Sequence, residues 1–350
     1  MADPTPISVA VAGACGPLGR RVSRRLVDHC RVGTVIGFDL RPDPGIAGMD
    51  YVCGDVGELD LGELLAEVDV LVHLVSALEP WPDEAHAGTS DGEATHRLFE
   101  AAGSAGVGRL VLMSTAMVYG AWPDNPVPLT EASPLRPIPE FGFAVNKAEQ
   151  ERFAAQWGEG HPEVDIVTLR PTASLAEEHV GWVARSLRSA ASLTGESEIP
   201  VQFLHLDDLA AAVELSVVGD LTGVYNVAPE GWMSSGTTLD LEGLTPRVRL
   251  PEQLLGRLSA WWWKYRLAPT SPGVLRYARF PWVVASDRLR AEGWTPQYTS
   301  ELAFVSGRKG HPWGMLDSRR RQQIALGSAA VGGLALVWGI SAAARRLFRR

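Results

Sequence analysis

The chain has 350 residues, of which 46% are hydrophobic and 21% are charged, and its formal net charge is −9 at pH 7. A chain of this length can bury a full core, and its ordinary composition excludes a mainly disordered protein. The acidic balance also excludes nucleic acid as an expected partner, because phosphate binding requires clustered cations.

The first predicted elements are a strand, a glycine turn and a helix in direct succession. Residues 7–12 form an apolar strand pattern, and a helical run extends over residues 20–30. Glycines between them let the backbone approach a pyrophosphate, whose charge the free N–H groups and the positive end of the helix stabilise. The pattern therefore predicts a dinucleotide-binding turn. Its predicted cofactor-binding residues are Gly13, Gly16, Leu18 and Gly19.

Asp39 ends the second predicted strand, residues 35–39, and lies 20 residues after Gly19. A carboxylate at this distance accepts hydrogen bonds from the ribose hydroxyls of an adenosine. It favours NAD over NADP because it repels a 2′-phosphate, whereas the neighbouring Arg41 can meet that phosphate. We therefore predict NAD as the cofactor, with NADP as the disfavoured alternative.

Strands and helices continue to alternate along the chain. Residues 70–77 form a fourth apolar strand that contains His73, which we expect to be a hydrogen-bonded core residue. Residues 95–102 have a helical pattern, and residues 109–114 form a fifth strand. Apolar strands that alternate with helices predict a parallel sheet covered on both faces.

Two later segments complete the set of motifs. Residues 114–120 read Ser-Thr-Ala-Met-Val-Tyr-Gly, and residues 141–149 read Phe-Gly-Phe-Ala-Val-Asn-Lys-Ala-Glu. Together with the glycine turn, these segments resemble the extended short-chain dehydrogenases, the NAD-dependent epimerase/dehydratase family that includes UDP-galactose 4-epimerase. The resemblance extends over roughly residues 7–306. It implies an α/β fold with a doubly wound (Rossmann) parallel sheet and a small C-terminal substrate lobe.

The resemblance also implies roles for individual residues. Thr115 stands at the position of a catalytic hydroxyl, with bonding to the local backbone as the alternative, and Lys147 stands where the family binds the nicotinamide ribose. Asp55 is implied to contact the adenine, unless it only forms a turn, and Val75 to contact the cofactor. Residues 116–117, Ala-Met, replace the Asp-Glu of 4,6-dehydratases and argue against that reaction.

Phe143 occupies the position of the family's catalytic tyrosine, four residues before Lys147. The phenol that carries the proton is missing, and the loss of a positioned acid or base typically costs about 10²–10⁴ in rate. Tyr119, Glu140 and His86 lie in nearby segments as candidate replacements. Either the proton is carried by another group, or the protein binds its ligands without catalysis.

The predicted organisation is a Rossmann core over residues 1–170 and a substrate lobe over residues 171–310, with returning core elements at about 200–228. Within the lobe, residues 254–265 form an amphipathic helix with an aromatic face. We expect that face to pack in the core. A wall for an apolar substrate and a surface at the bilayer interface are the alternatives.

The C-terminal segment has a different character from the acidic body. A basic linker over residues 311–323 precedes 21 uncharged residues at 324–344, and a basic tail occupies residues 345–350. The uncharged run equals about 32 Å of helix, which is enough to cross the hydrocarbon core of a bilayer. We predict a membrane helix here, which either spans the bilayer or lies along it.

These expectations define a membrane-associated, NAD-binding protein with a body in the cytoplasm, a small-molecule substrate and the capacity to form a homodimer. The substrate is a nucleotide sugar, and the reaction is hydride transfer at a carbinol carbon. Two alternatives stay open: a non-catalytic NAD-dependent scaffold or sensor, and an enzyme similar to the hydroxysteroid dehydrogenases that acts on a lipid alcohol. Cys15, Cys30 and Cys53 have no metal-binding spacing, so no metal site is predicted.

Overall fold

The computed structural model describes residues 6–76, 84–194, 198–242, 252–265 and 271–307. Its strands, in chain order, are β1 (Ile7–Ala12), β2 (Val32–Asp39), β3 (Asp50–Cys53), β4 (Val70–His73), β5 (Arg109–Met113), β6 (Asp165–Pro171), β7 (Ala173–Ala176), β8 (His179–Val180), β9 (Pro200–Val201), β10 (Phe203–His205), β11 (Gly223–Val227) and β12 (Met233–Ser234). Its α-helices are α1 (Pro17–Val27), α2 (Leu61–Leu65), α3 (Glu84–Ala105), α4 (Gly142–Gly160), α5 (Trp182–Thr194), α6 (Leu206–Val218), α7 (Ser235–Glu242), α8 (Glu252–Lys264), α9 (Val274–Tyr277), α10 (Asp287–Ala291) and α11 (Ser300–Ser306).

The main sheet has seven strands in the order β11-β6-β5-β4-β1-β2-β3. All of its strand pairs are parallel. The strand order reverses at β1, because β2 and β3 extend to one side of it while β4 begins the other side. This is the doubly wound α/β arrangement that the sequence predicts, and ligands of such sheets bind at the carboxyl ends of the strands where the order reverses.

Both faces of the sheet are covered by apolar clusters. Val9 and Val11 of β1 pack with α1 and α6, whereas Ala10 and Ala12 pack on the other face with α2 and α3. This alternation follows from the two-residue period of a strand. A third cluster, which includes Phe141, joins the start of α4 to the lobe.

Helix α1 starts closer to the sheet than its sequence pattern suggests. The sequence pattern predicts a helix over residues 20–30, but the helix begins at Pro17 and ends at Val27. Proline suits the first helical position because its fixed φ matches the helix and its missing N–H is not needed there. The glycine turn therefore leads directly into the first turn of α1.

The aromatic face of the lobe helix is only partly buried. Leu255 of α8 is 2% exposed, as expected for core packing, but Trp261 and Tyr265 are 52% and 55% exposed. The expectation that the whole aromatic face packs in the core is therefore wrong. Helix α8 directs its apolar residues to two sides, and only one side meets the body.

Within the described residues, no helix is both long enough and apolar enough to cross a membrane. The predicted basic linker 311–323, the uncharged segment 324–344 and the tail 345–350 lie outside the described residues.

Candidate functional site

A cleft of about 630 Å³ lies at the carboxyl ends of β1, β2, β3 and β4, where the strand order of the sheet reverses. Phe143 of α4 and part of the lobe complete its wall. The predicted cofactor residues that line this cleft are Gly13, Gly16, Leu18, Gly19, Asp39, Asp55 and Val75. Thr115 and Lys147 are not among the lining residues.

The glycine turn is shaped by contacts that leave no room for side chains. Gly13 has a φ of +87°, a conformation that L side chains rarely adopt. A Cβ on Gly19 would lie 2.2 Å from the carbonyl oxygen of Gly13, so only glycine lets α1 pack this closely on the turn. Gly16 is the N-cap of α1 and has no side chain to bond the free N–H groups of the first turn. These groups are therefore available to an anion.

Asp39 is held by hydrogen bonds at the end of β2. Its carboxylate accepts from the backbone N–H of Cys15 at 3.0 Å and from the Arg41 guanidinium at 3.1 Å and 3.0 Å. Burial raises the pKa of Asp39, but the hydrogen bonds from Arg41 and Cys15 outweigh it and lower the pKa below its ordinary value. Asp39 is therefore an anion at neutral pH, and Arg41 is paired with it.

Asp55 serves the local turn while it lines the cleft. Its Oδ1 accepts a hydrogen bond from the backbone N–H of Gly57 at 2.7 Å. One carboxylate oxygen of Asp55 therefore stabilises the turn, which is the turn-forming role expected as the alternative to an adenine contact. The cleft position of Asp55 agrees with the other expectation, a contact to the adenine.

Phe143 lies in the first turn of α4 and belongs to a group of aromatic rings. Its ring centroid is 5.1 Å from that of Trp182, nearly perpendicular to it at 86°, and 5.8 Å from that of Phe141. Phe141 also packs against Tyr277 at 5.6 Å. Edge-to-face pairs of this kind stabilise each other beyond their buried area. Phe143, which the sequence predicts to stand at the position of the family's catalytic tyrosine, is thus part of an apolar, aromatic wall.

Lys147 is buried one turn further along α4. It is 3% exposed, and its Nζ donates to Oε1 of Gln150 at 3.1 Å. Burial lowers the pKa of the Lys147 ammonium, and the carboxylates of Asp91 and Glu151 oppose that shift. The lysine is therefore covered by protein rather than presented in the cleft.

Thr115 caps the 3-10 helix formed by Ala116–Tyr119. Its Oγ1 accepts a hydrogen bond from the backbone N–H of Met117 at 3.3 Å, and the residue is 7% exposed. The hydroxyl therefore has the local backbone partner that the alternative expectation proposed. Its O–H is free to donate elsewhere, because the capping bond uses only a lone pair.

A buried polar network lies behind Thr115 and connects α4 to the sheet. Arg170 of β6 donates to both carboxylate oxygens of Glu151, at 2.5 Å to 3.0 Å, and to the hydroxyl of Tyr119 at 2.7 Å. Ser114 also donates to Glu151. The Tyr119 hydroxyl in turn donates to Oδ1 of Asn226 at 2.8 Å.

Two of the three candidate replacements for the phenol do not line the cleft. Tyr119 is fully buried, its hydroxyl is used by Arg170 and Asn226, and burial raises its pKa, so it is a structural residue. Glu140 is exposed and does not line the cleft. The side chain of His86 lies outside the described part of the structure.

His73 is a core residue, as its place in an apolar strand suggests. Its Nε2 lies 2.8 Å from the Thr95 hydroxyl, and burial lowers the pKa of His73 to about 3. The imidazole is therefore neutral. Its Nδ1 is buried without a hydrogen-bond partner in the described residues.

The lobe contributes cleft residues that the sequence motifs do not reveal. His179 of β8, Gly181, and Trp182 and Arg185 of α5 all line the cleft. No local pattern identifies them, because their position depends on how the lobe returns to the sheet. A short strand followed by Gly181 and a helix is the only local signal.

The chain belongs to the NAD dependent epimerase/dehydratase family, whose sequence profile matches residues 9–228. This membership confirms the predicted family and NAD as the cofactor. A dTDP-glucose 4,6-dehydratase of Streptomyces niveus is 27% identical over 291 residues, which cover 77% of each chain. An uncharacterized protein of Mycobacterium tuberculosis (strain H37Rv) is 25% identical over 354 residues, which cover 95% of this chain and 91% of the relative.

Solved structures agree on the fold. UDP-glucose 4-epimerase of Thermus thermophilus, solved as a complex with NAD, matches with a TM-score of 0.66 at 20% identity. The match covers 86% of this chain and 97% of the epimerase. At this identity the likeness establishes the architecture, and the reaction has to be argued from the site.

Proposed function

We propose that the protein binds NAD in the cleft and acts on a nucleotide sugar by hydride transfer at a carbinol carbon, with a proton transfer that is impaired or rerouted. The observation that carries this proposal is the single cleft that joins the glycine turn and Asp39 to Phe143 and the lobe. Bound NAD supplies the hydride acceptor. In an epimerase the same hydride returns to the opposite face of the carbon, so the reaction needs no external oxidant.

The residues present fit a dinucleotide. Backbone N–H groups after Gly16 are placed for the pyrophosphate, and the Asp39 carboxylate is placed for ribose hydroxyls. Val75 and Asp55 line the cleft beside them. Arg41 is occupied by Asp39, which supports NAD over NADP, since a 2′-phosphate would have to compete with a carboxylate for that guanidinium.

Lys147 and Thr115 keep the roles that the family resemblance implies in this proposal. Lys147 would bind the nicotinamide ribose and the Thr115 hydroxyl would orient the substrate oxygen, although neither side chain lines the cleft in the free protein. The proton itself needs another carrier or a water, because Phe143 has no exchangeable proton. The residues 116–117, Ala-Met, still argue against a 4,6-dehydratase, although a relative carries that name.

A non-catalytic NAD-dependent scaffold or sensor is the second candidate. The burial of Lys147 against Gln150 and the aromatic packing of Phe143 favour it, because both remove proton-transferring groups from the cleft. The same aromatic wall favours the third candidate, an enzyme that acts on a lipid alcohol. An apolar substrate surface would suit the Phe143 and Trp182 rings.

The proposal also includes membrane association, which the uncharged residues 324–344 suggest, and a homodimer. In this view the body lies in the cytoplasm and the C-terminal segment holds it at the membrane.

Calorimetric titration with NAD, followed by turnover assays, tests the proposal. The protein is incubated with NAD and UDP-glucose, dTDP-glucose or a hydroxysteroid, and products are separated by chromatography. We expect NAD binding and slow conversion of a nucleotide sugar. Binding without any conversion supports the sensor, conversion of the steroid supports the lipid-alcohol enzyme, and failure to bind NAD removes the proposal.

A further inference from the structure

The lobe places two basic side chains in the same cleft as the glycine turn. His179 belongs to β8 and Arg185 to the first turn of α5, and both line the cleft with Gly16 and Leu18. Arg185 is exposed and His179 is half-buried. They come from a part of the chain that follows the sixth strand, far in sequence from the glycine turn.

Among the described residues that line the Rossmann side of the cleft, the cation is Arg41, and it is already paired. Asp39 and Arg41 form an ion pair with 3.0 Å between Oδ2 and Nη2, and Asp55 adds a negative charge. The glycine turn offers backbone N–H groups, and Arg20 donates from its Nε to the carbonyl oxygen of Cys15 in that turn at 3.0 Å. A pyrophosphate diester carries two negative charges, so further cations from the lobe would add to the stabilisation that the N–H groups and the positive end of α1 provide.

An ion-pair cluster joins the turn before His179 to the helix that follows the glycine turn. Arg21 of α1 donates to Asp207 of α6 at 2.7 Å and also to Glu178, the residue before His179. The lobe turn is therefore attached to the helix whose first turn faces the cleft. This attachment brings the basic side chains of the lobe next to the phosphate-binding end of α1.

The electrostatics of the lobe side chains agree with an anion. Burial lowers the pKa of His179, and the cations Arg185 and Arg21 lower it further, while Glu178 opposes them. A bound dianion would reverse this repulsion and stabilise the imidazolium beside the guanidinium. In the free protein, His179 is a neutral group that can still donate one N–H.

We propose that Arg185 and His179 form a cationic arm of the lobe that binds the pyrophosphate of the dinucleotide cofactor from the side not covered by the glycine turn. The inference rests on the proposed function, since it assumes that the dinucleotide occupies this cleft. Cofactor binding then joins the lobe to the Rossmann core through the phosphates. Arg185 is a cofactor-binding residue in this view, and His179 supports it.

Calorimetry of full-length variants with ligand fragments tests the arm. ADP-ribose contains the pyrophosphate, adenosine lacks it, and UDP represents the diphosphate of a substrate. We expect Arg185→Gln to weaken ADP-ribose and NAD binding about tenfold, as the loss of a charge-assisted hydrogen bond does, with adenosine binding unchanged. His179→Gln should weaken both ligands by a smaller factor, roughly threefold.

Arg24→Gln is the matched control, because Arg24 is an exposed cation on α1 outside the cleft and its loss changes the net charge equally. Thermal unfolding of each variant shows whether the fold is intact, and Arg185→Lys keeps the charge if the glutamine variant is unstable. Unchanged ADP-ribose affinity in Arg185→Gln overturns the inference. So does a loss confined to UDP, which would assign the arm to the substrate. A wild type that binds neither NAD nor ADP-ribose refutes the proposed function instead.

Discussion

Phe143 differs by a single oxygen atom from the tyrosine that the family resemblance predicts at this position. Its ring lines the cleft and packs against Trp182. The hydroxyl of a tyrosine at this position would therefore also lie at the cleft wall. The surrounding residues of α4 keep the helix register, with Lys147 one turn later. The missing hydroxyl is therefore a local change in an otherwise preserved frame.

We expect Phe143→Tyr to raise oxidoreductase activity on a nucleotide sugar or a lipid alcohol by up to about 10²-fold, because the family resemblance gives Lys147 and Thr115 as the partners of a phenol at this position. Chromatography of the products from a nucleotide sugar, and NADH absorbance with a lipid alcohol, give the comparison between the wild type and the variant. Phe143→Leu is the control, since it changes the ring without adding a hydroxyl. A wild type that is efficient and loses activity on Phe143→Tyr would contradict the idea of a vacated proton-carrier position and would indicate a proton carrier elsewhere in the cleft.

Asp39 sets the second prediction at this scale. We expect micromolar affinity for NAD and affinity for NADP that is weaker by about tenfold, because the carboxylate repels a 2′-phosphate and occupies Arg41. Asp39→Asn should reduce the difference between the affinities for NAD and NADP. Asp50→Asn, which changes an exposed acid on β3, should leave that difference unchanged. Calorimetric titration with both cofactors measures this, and equal affinities in the wild type would remove the argument from Asp39.

The preference for NAD over NADP should decrease at low pH, where Asp39 loses its charge. The pKa of Asp39 is lowered in the folded protein, so its carboxylate is ionised above its ordinary pKa, and its charge is lost only as the pH falls through the lower, folded value. The 2′-phosphate of NADP is a monoester with a second pKa of about 6, so it keeps one negative charge when it is protonated. Discrimination against NADP should therefore weaken as that phosphate is protonated but persist down to the ordinary range of a carboxyl group, and its complete loss between pH 7 and 6 would mean that a group other than Asp39 controls it.

At the scale of elements, the ion pair between Glu151 and Arg170 joins α4 to β6. Both side chains are buried, and the carboxylate accepts three hydrogen bonds from the guanidinium. Removing one partner of a buried pair leaves an uncompensated charge, which typically costs about 3–5 kcal/mol. The pair therefore holds the helix that carries Phe143 and Lys147 against the sheet.

We expect Glu151→Leu to lower the free energy of unfolding by about 3–5 kcal/mol, measured by urea denaturation. Glu159→Leu makes the same substitution at an exposed position of α4 and should have little effect. The double variant Glu151→Leu with Arg170→Met should recover much of the loss, because it removes both charges. A single variant as stable as the wild type would show that the network does not hold α4.

The sequence predicted these elements well where the signal is local. The strand and glycine turn at residues 7–19 and the acid at the end of β2 lie where the pattern placed them, because strand, turn and helix are each specified by neighbouring residues. The fourth strand ends at His73, so Val75 reaches the cleft from a loop. Packing between distant segments was not predictable, as in the contact of Trp182 with Phe143 or of Arg170 with Tyr119.

At the scale of the whole molecule, the described residues contain a seven-stranded sheet with helices on both of its faces. β11, near residue 225, lies beside β6 and closes one edge of the sheet, while α6 packs on α1. The core is thus assembled before residue 308, the first residue of the C-terminal part outside the described residues.

We expect deletion of residues 318–350 to leave a folded protein with the NAD affinity of the full chain, because the sheet, the lobe and the cleft all lie within residues 6–307. Thermal unfolding and NAD calorimetry measure folding and cofactor affinity. Fractionation of cells measures membrane association: the full chain should sediment with membranes and the truncated chain should not, since 21 uncharged residues are lost.

A variant with Leu334→Asp and Leu336→Asp separates insertion from other effects of the tail. A charge near the centre of a bilayer costs roughly 2.5–3.5 kcal/mol on insertion scales, so two of them in an apolar run that is rich in alanine and glycine should release the full-length chain from the membrane fraction. The body is unchanged in this variant, and its NAD affinity should be unchanged too. If the unmodified full chain is already found in the soluble fraction, the membrane prediction is wrong. A loss of NAD affinity on deletion would then show that the C-terminal segment packs on the body and supports the cleft.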